Sequence, residues 1–119
     1  MPINQQLDGV FIHVSDMQRA IDWYSRLLDV PMESTTHEDM IYNLPIGSGP
    51  QIILDAYPKP TSPRGTGPRV MFSTPDIHPA HAHALELSAE TSAVEDIGSS
   101  LVFYLEDPDG NLICIRQLK

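Results

Sequence analysis

The sequence predicts an α+β fold made of two similar half-chain modules. The strand-like segment at 9–16 recurs at 69–76, and Asp76 lies 60 positions after Asp16. With that single offset, apolar residues coincide in five pairs: Val10/Val70, Phe11/Met71, Ile12/Phe72, Ala20/Ala80 and Leu27/Leu87. Self-similarity at a fixed offset is typical of a duplicated supersecondary unit. We therefore expect two modules, each of which begins with a strand and continues into a helix.

The first module opens with that strand and helix. The apolar residues at 10, 12 and 14 alternate with other residue types, which is the period-two pattern of a strand whose faces meet different surroundings. Asp16 offers a side-chain oxygen that can cap a helix, and apolar residues then follow helical spacing from Met17 to Leu28. Because the residue before a proline is pushed out of the helical region, we expect the helix to end before Pro31.

The rest of the first module is predicted to contain three strands, followed by a linker. Apolar runs around Met32 and over 40–44 predict two strands, and a run over 51–55 bounded by Gly and Pro predicts the third. Prolines recur between 57 and 68, where they remove hydrogen-bond donors and restrict the backbone. The predicted division is one domain over 1–119, with module one at 1–57, the linker at 58–68 and module two at 69–119.

The second module repeats the order of the first. Residues 69–74 predict a strand, and Asp76 predicts a helix cap before apolar spacing that continues to Leu87. Further strands are predicted near 93–94, at 101–106 and at 112–117. The sequence Asp107-Pro108-Asp109-Gly110-Asn111 combines a proline suited to the first corner of a turn with a glycine that accepts a positive φ. The last two strands are therefore expected to form a hairpin.

Charge and cysteine content exclude several classes of function. The 119 residues include 7 basic and 16 acidic ones, which gives a net charge of -9. This charge repels phosphate backbones and anionic membrane surfaces, and no basic cluster offsets it. Cys114 is the sole cysteine, so no internal disulfide can form, and neither a membrane-length apolar stretch nor a secretion signal is found. We expect a cytoplasmic protein that binds neither nucleic acid nor membranes.

Three motifs resemble the vicinal oxygen chelate superfamily, which includes glyoxalase I, bleomycin-resistance proteins and extradiol dioxygenases. They are the helix-opening sequence Val-Ser-Asp-Met with Ala-Ile-Asp-Trp-Tyr at 14–24, the second-module opening at 69–76, and the 107–111 turn before the final strand. Together they extend over nearly the whole chain. The resemblance implies two βαβββ modules whose mixed sheet curls into a cup, with outer helices, a ligand cleft inside and a homodimer as the expected assembly.

The resemblance also implies where catalytic members hold a divalent metal. These positions fall on Gly9, Ile53, Arg69 and Cys114 in this sequence. Glycine and isoleucine have no donor atom, arginine carries cationic N–H groups that repel a metal ion, and one thiolate cannot make a three- or four-ligand site. We therefore expect no metal cofactor.

Other residues offer alternative sites. A metal site built on His13 and Cys114 is chemically allowed, with Asp55 and Glu106 as further ligands. Cys114 can also act as a nucleophile with His13 as its base, although a buried cysteine that packs like a small apolar residue is the commoner case.

Three histidines in the second helix, His78, His81 and His83, also raise the question of a metal site. On a helix the first two are neighbours and the third points elsewhere, and no acid or cysteine completes the set. We expect these histidines to lie on an exposed helix face.

Strand parity selects the residues that are expected to face the cleft. The predicted ligand-binding residues are Phe11, His13, Ile53, Arg69, Met71, Ser73 and Cys114. Phenylalanine and methionine supply adaptable apolar walls, Arg69 offers a fork for a carboxylate or phosphate, and His13 or Ser73 can orient a polar group. An internal ion pair between Arg69 and Asp55 is an equally good interpretation of the arginine.

The leading hypothesis is a metal-free small-molecule-binding protein that holds its ligand in the inter-module cup. The first alternative is an enzyme: a metal-dependent lyase, isomerase or dioxygenase with relocated ligands, or an acid/base catalyst that uses His13. The second alternative is an interaction module whose cup is vestigial. Loss of turnover in His13→Ala identifies the enzyme, and a cup filled by side chains identifies the interaction module.

Overall fold

Each half of the chain begins with a strand that leads into a helix. The computed structural model describes residues 4–5, 7–33, 40–57 and 70–119. Packing divides the chain into two compact units, unit 1 at Met1–Lys59 and unit 2 at Pro60–Lys119. The elements in chain order are β1 (Gly9–His13), α1 (Met17–Leu28), β2 (Ile41–Asn43), β3 (Gln51–Asp55), β4 (Val70–Ser73), α2 (Ile77–Leu87), β5 (Glu95–Asp96), β6 (Ser100–Glu106) and β7 (Leu112–Leu118).

Unit 1 contains a three-stranded mixed sheet in the order β1-β3-β2. β1 runs parallel to β3, with Phe11 opposite Ile53 and His13 opposite Asp55, and β2 runs antiparallel to β3. α1 packs against β2 and β3. The alternate side chains of the three strands and the residues that follow them are buried: Ile12, Val14, Tyr42, Leu44, Ile52 and Leu54. This alternation leaves the other face of the sheet for polar and partly exposed side chains.

α1 begins and ends at residues that satisfy its terminal backbone groups. Asp16 is extended, with a φ of -135°, and its Oδ1 accepts a hydrogen bond from the Arg19 N–H at 3.1 Å. At the other end, Asp29 has a left-handed φ of 53°, and its N–H donates to the carbonyl oxygen of Ser25. Both ends agree with the helix predicted at 17–28, which is confirmed.

Unit 2 contains a four-stranded mixed sheet in the order β4-β7-β6-β5. β4 runs parallel to β7, and β6 and β7 form a long antiparallel hairpin. α2 packs against this hairpin, where the His81 ring meets the Phe103 ring edge-on at 5.0 Å between centroids. The Ile77 N–H also donates to Gln117 Oε1 at 2.7 Å. Two helices and two mixed sheets in the described residues confirm the predicted α+β class.

The turn between β6 and β7 is built around a buried carboxylate. Asp107 is 5% exposed. It accepts hydrogen bonds from the Asp109 N–H at 2.9 Å, the Asn111 N–H at 2.7 Å and the Asn111 side-chain amide at 2.8 Å. Gly110 has a φ of 79°, in the left-handed region that favours glycine. The predicted hairpin turn is therefore confirmed.

The strand predicted near 93–94 is displaced by a bulge and becomes β5. Thr91 bridges Leu105, whereas Glu95 pairs with Val102, so three residues on this edge oppose two on β6. The extra residue interrupts the ladder at the place where the strand was expected.

The strand predicted around Met32 is not seen in the part of that segment that the structure describes. Residues 30–33 lack strand structure, and 34–39 lie outside the described residues. The Glu33 N–H donates instead to the hydroxyl of Tyr42 at 3.0 Å. A side chain therefore satisfies this backbone donor, so no strand partner is needed.

In the described part of the chain, no helix is long and apolar enough to cross a membrane. α1 has 12 residues and α2 has 11, whereas a membrane-spanning helix needs about 20 mostly apolar residues.

Candidate functional site

Three predicted ligand residues of unit 1 share the sheet face opposite α1. Phe11 and Ile53 are register partners on β1 and β3, and His13 lies two residues beyond Phe11 on the same face. The Phe11 side chain is 67% exposed, His13 is exposed and Ile53 is half-buried. The structure therefore brings these three residues together as predicted.

His13 lies beside an acidic residue of the neighbouring strand. Its register partner is Asp55, which is buried and whose Oδ1 accepts a hydrogen bond from the Tyr57 N–H at 2.9 Å. An imidazole and a carboxylate on adjacent strands are the groups that acid/base chemistry uses. The predicted ion pair of Asp55 with Arg69 lies outside the described residues, because Arg69 is not among them.

Three more predicted ligand residues share one face of the unit 2 sheet. Met71 of β4 is the register partner of Cys114 on β7, and Ser73 is the partner of Arg116. Met71 is 52% exposed and Ser73 is exposed, whereas Cys114 is buried. α2 packs on the opposite face, through contacts such as that with Phe103. The predicted residues of this unit are therefore also grouped.

The thiol of Cys114 is buried in the unit 2 sheet. Burial raises the pKa of the Cys114 thiol, and the nearby positive charge of Arg116 opposes this only partly. A raised pKa keeps the thiol protonated, whereas nucleophiles and metal ligands are thiolates. The burial of Cys114 agrees with the interpretation of a packed residue, and its ligand and nucleophile roles stay predictions.

The metal-ligand positions implied by the resemblance do not fit a metal where the structure describes them. A Cβ built on Gly9 would lie 3.2 Å from the carbonyl oxygen of Gln51 and 3.5 Å from Cδ1 of Ile53. Two implied ligand positions thus lie side by side, and the side chains of glycine and isoleucine have no donor atom. Among the described residues, no three His, Cys, Asp or Glu side chains are grouped closely enough to hold an ion.

One histidine of α2 differs from expectation. His78 and His83 are exposed as predicted, but His81 is half-buried, and its Nε2 lies 2.8 Å from the carbonyl oxygen of Ser92. The prediction for His81 is wrong because this residue lies on the same helical stripe as the buried Ile77 and Ala84. Its spacing of four from the first and three from the second was the signal in the sequence.

Unit 2 also contains a cavity that the sequence interpretation missed. The cavity is about 270 Å³ in volume, and its walls are the segment 89–92 together with Tyr104, Glu106 and Leu112. Tyr104 is the register partner of Cys114 and Glu106 of Leu112, so this wall lies on the same sheet face as the predicted residues of unit 2. Tyr104, Glu106 and Leu112 could have been identified from the sequence, because hairpin pairing places them on the same face as Cys114. The wall at 89–92 could not be identified in this way, because it depends on the bulge.

Comparison with known sequences identifies one family. A sequence model of the glyoxalase/bleomycin resistance protein/dioxygenase superfamily matches residues 6–115. No curated protein sequence matches the chain.

Solved structures share the fold at low sequence identity. TnmS3, an antibiotic binding protein from Streptomyces sp. CB03234, is 22% identical with a TM-score of 0.78, and the match covers 100% of this chain and 99% of that chain. TioX from Micromonospora sp. ML1 is 17% identical with a TM-score of 0.69, over 95% of this chain and 98% of that chain. A lactoylglutathione lyase from Agrobacterium tumefaciens is 15% identical with a TM-score of 0.70, over 97% and 95%. At these identities the likeness establishes the fold.

Proposed function

Because the chain belongs to the glyoxalase/bleomycin resistance protein/dioxygenase superfamily, we propose that it binds a small organic molecule without a metal ion, in the cup that the family resemblance predicts. The observation that carries the proposal is that three predicted ligand residues are grouped on one sheet face of each unit, in a chain whose described metal-ligand positions hold no donor set. The proposed ligand contacts are Phe11, His13, Ile53, Arg69, Met71, Ser73 and Cys114.

Exposed apolar side chains support ligand binding on these sheet faces. Phe11 and Met71 are 67% and 52% exposed, although each lies on a strand of its unit's sheet. Burial of apolar surface is favourable by about 25 cal/mol per Å². A ligand that packs on these side chains therefore stabilises the complex by covering their exposed surface. TnmS3, which has the same fold, is an antibiotic binding protein, and this supports a small organic ligand.

The metal-free part of the proposal is tested by metal analysis. Protein purified without chelator is analysed by plasma mass spectrometry and then titrated with nickel, zinc, manganese and iron(II). We expect less than about one-tenth of an equivalent of any metal and no tight site, because the described positions lack a donor set. Stoichiometric, tight binding of one of these metals would overturn this part.

The ligand-binding part is tested with a small-molecule library and matched variants. Native mass spectrometry of the purified chain and ligand-observed NMR should find at least one compound that binds one per chain. Phe11→Ala and Met71→Ala are expected to weaken that compound about fivefold or more, since each removes buried contact area from the complex. Leu85→Ala is the control, because Leu85 is 53% exposed on α2. Failure of every compound to bind would favour the interaction-module hypothesis.

A second candidate function is acid/base catalysis, which is favoured by the register pairing of His13 with Asp55. The carboxylate would hold the imidazole in one tautomer while the imidazole moves a proton. Its test is the formation of lactoylglutathione from methylglyoxal and glutathione by the chain as purified. His13→Ala should abolish turnover with the fold intact by circular dichroism, and His78→Ala, an exposed control, should not. An unchanged rate in His13→Ala would dismiss this role.

A further inference from the structure

The rim of the unit 2 cavity, which is the segment 89–92, is hydrogen-bonded to β6. The Ser92 N–H donates to the Tyr104 carbonyl at 2.8 Å, and the Tyr104 N–H donates to Ser92 Oγ at 2.9 Å. The Ser88 hydroxyl donates to the Glu106 carbonyl at 2.9 Å, and the Glu106 N–H donates to the Glu90 carbonyl at 3.1 Å. Because these backbone groups are already paired, the rim does not have to fold when a ligand arrives.

Helix α2 and the residue that ends it also hold this rim. The His81 Nε2 lies 2.8 Å from the Ser92 carbonyl oxygen, and the Thr91 hydroxyl donates to the Ser88 carbonyl at 2.8 Å. The rim is therefore held both by β6 and by the end of the helix. A preorganised binding site of this kind raises affinity, because binding then has to order few further groups.

Two acidic side chains and the tyrosine hydroxyl of the cavity wall, in contrast, are not engaged within the part of the chain that the structure describes. No hydrogen bond or ion pair of that part involves the carboxylates of Glu90 or Glu106 or the hydroxyl of Tyr104. Glu106 and Tyr104 are half-buried and Glu90 is exposed. The cavity wall thus includes two acidic residues and a tyrosine, together with the apolar residue Leu112.

These groups select a cationic organic ligand. Two carboxylates at one cavity attract positive charge, and the net charge of -9 adds to that attraction. An amine or guanidinium can donate charge-assisted hydrogen bonds to both, while its carbon skeleton packs on Leu112 and on the face of the Tyr104 ring. A bare metal ion is a poorer fit, since no third His, Cys, Asp or Glu of the described residues joins these carboxylates.

The size of the cavity limits the ligand further. A volume of about 270 Å³ is slightly below the lower end of pockets for drug-sized ligands, which hold about 300–1,000 Å³. The cavity therefore suits a small amine, or the cationic end of a larger molecule whose remainder extends along the sheet face towards Met71.

We infer that the unit 2 cavity binds the amine or guanidinium group of a small organic cation between Glu106 and Glu90. This inference rests on the proposed small-molecule function and names its ligand class and one binding position.

The test uses the full chain and three matched probes: 2-phenylethylamine, 2-phenylethanol and phenylacetate. Their binding is followed by two-dimensional amide NMR. The amine should shift the amide signals of 89–92, Tyr104 and Glu106 with a saturating titration, and the neutral and anionic probes should bind at least about tenfold more weakly. Glu106→Gln and Glu90→Gln should each weaken the amine about fivefold or more, whereas Glu86→Gln, an exposed control on α2, should leave its affinity within about twofold.

Several results would overturn the inference. They are equal binding of the three probes, amide shifts centred outside the cavity, and unchanged amine affinity in both cavity variants. If Glu106→Gln does not fold, Glu90→Gln decides, because only the backbone of Glu90 holds the rim. If a neutral or anionic compound binds at Met71 and Cys114 while the amine does not bind, the inference fails and the proposed function stands. If nothing binds anywhere on the chain, both fail.

Discussion

Asp107→Ala is expected to reduce the free energy of unfolding by about 3 kcal/mol. The Asp107 carboxylate is 5% exposed and accepts three hydrogen bonds, from the backbone N–H groups of Asp109 and Asn111 and from the Asn111 side chain. Alanine retains only the two backbone bonds, in which the carbonyl of residue 107 accepts from the Gly110 N–H at 3.0 Å and its N–H donates to the Asn111 carbonyl at 2.9 Å.

The magnitude follows from which donors can find water after the substitution. The Asn111 side-chain amide can rotate outwards, so its loss is small. The two backbone donors cannot move without opening the turn, and an unsatisfied buried donor costs about 1–3 kcal/mol. Two such groups, partly relieved by fraying of the turn, give the expected loss of about 3 kcal/mol.

This prediction bears on the candidate site because the turn sets the register of the hairpin. That register places Tyr104 beside Cys114 and Glu106 beside Leu112, on the face that holds the cavity. A slip of one residue in either strand would turn that strand's two side chains to the opposite face. A destabilised turn should therefore also weaken any ligand that binds in the cavity.

The assay is urea unfolding followed by far-ultraviolet circular dichroism, with the slope m unchanged between variants. Asp96→Ala is the matched control, because Asp96 also accepts a bond from a backbone N–H two residues later, that of Gly98 at 2.9 Å. Asp96 is exposed, so water replaces its contacts and the loss should be clearly smaller. The reasoning is refuted if Asp107→Ala loses less than about 1 kcal/mol or no more than the control does.

Three further predictions concern single positions. Burial raises the pKa of the Cys114 thiol, and this shift stabilises the folded protein at pH values below the ordinary thiol pKa. The stabilisation is lost as pH rises through the pKa of the folded protein. Cys114→Ala should therefore flatten the decline of the urea midpoint at alkaline pH. His81→Ala should cost about 1–2 kcal/mol in urea unfolding, because it removes a ring contact and a hydrogen bond, while His78→Ala should stay within about 0.5 kcal/mol. Gly9→Ala should reduce the free energy of unfolding by about 1 kcal/mol, because its Cβ would lie 3.2 Å from a backbone oxygen. Gly47→Ala is the control and should be tolerated, because a Cβ there meets nothing within 4 Å. An equal loss in the two variants would contradict this prediction.

Features set by local chemistry were predictable from the sequence. The cap at Asp16, the helix to Leu28 and the turn at 107–111 each depend on a few neighbouring residues, and the structure agrees with them. The sheet faces of Phe11 and Met71 followed from period-two alternation, which survives wherever one face of a strand is buried.

Features that depend on pairing between distant segments were not predictable in the same way. The bulge before β5 results from the pairing of Thr91 and Glu95 with residues of β6. The sequence of 92–94 contains no signal that predicts an extra residue. The cavity wall at 89–92 exists only because of that pairing, so the sequence alone could not place Glu90 beside Tyr104. His81 is different, because its helical spacing from Ile77 and Ala84 was present in the sequence.

The duplicated modules agree where they set strand pairing and differ where they set chemistry. Phe11 opposite Ile53 in unit 1 corresponds to Met71 opposite Cys114 in unit 2, and both pairs are apolar or uncharged. One step along the same face, a histidine opposite an aspartate in unit 1 corresponds to a serine opposite an arginine in unit 2. Parallel pairing constrains the backbone but leaves the side chains on the face opposite the helix free to change. The same frame can therefore carry different side-chain chemistry in its two units, which allows the two halves of a duplicated fold to diverge.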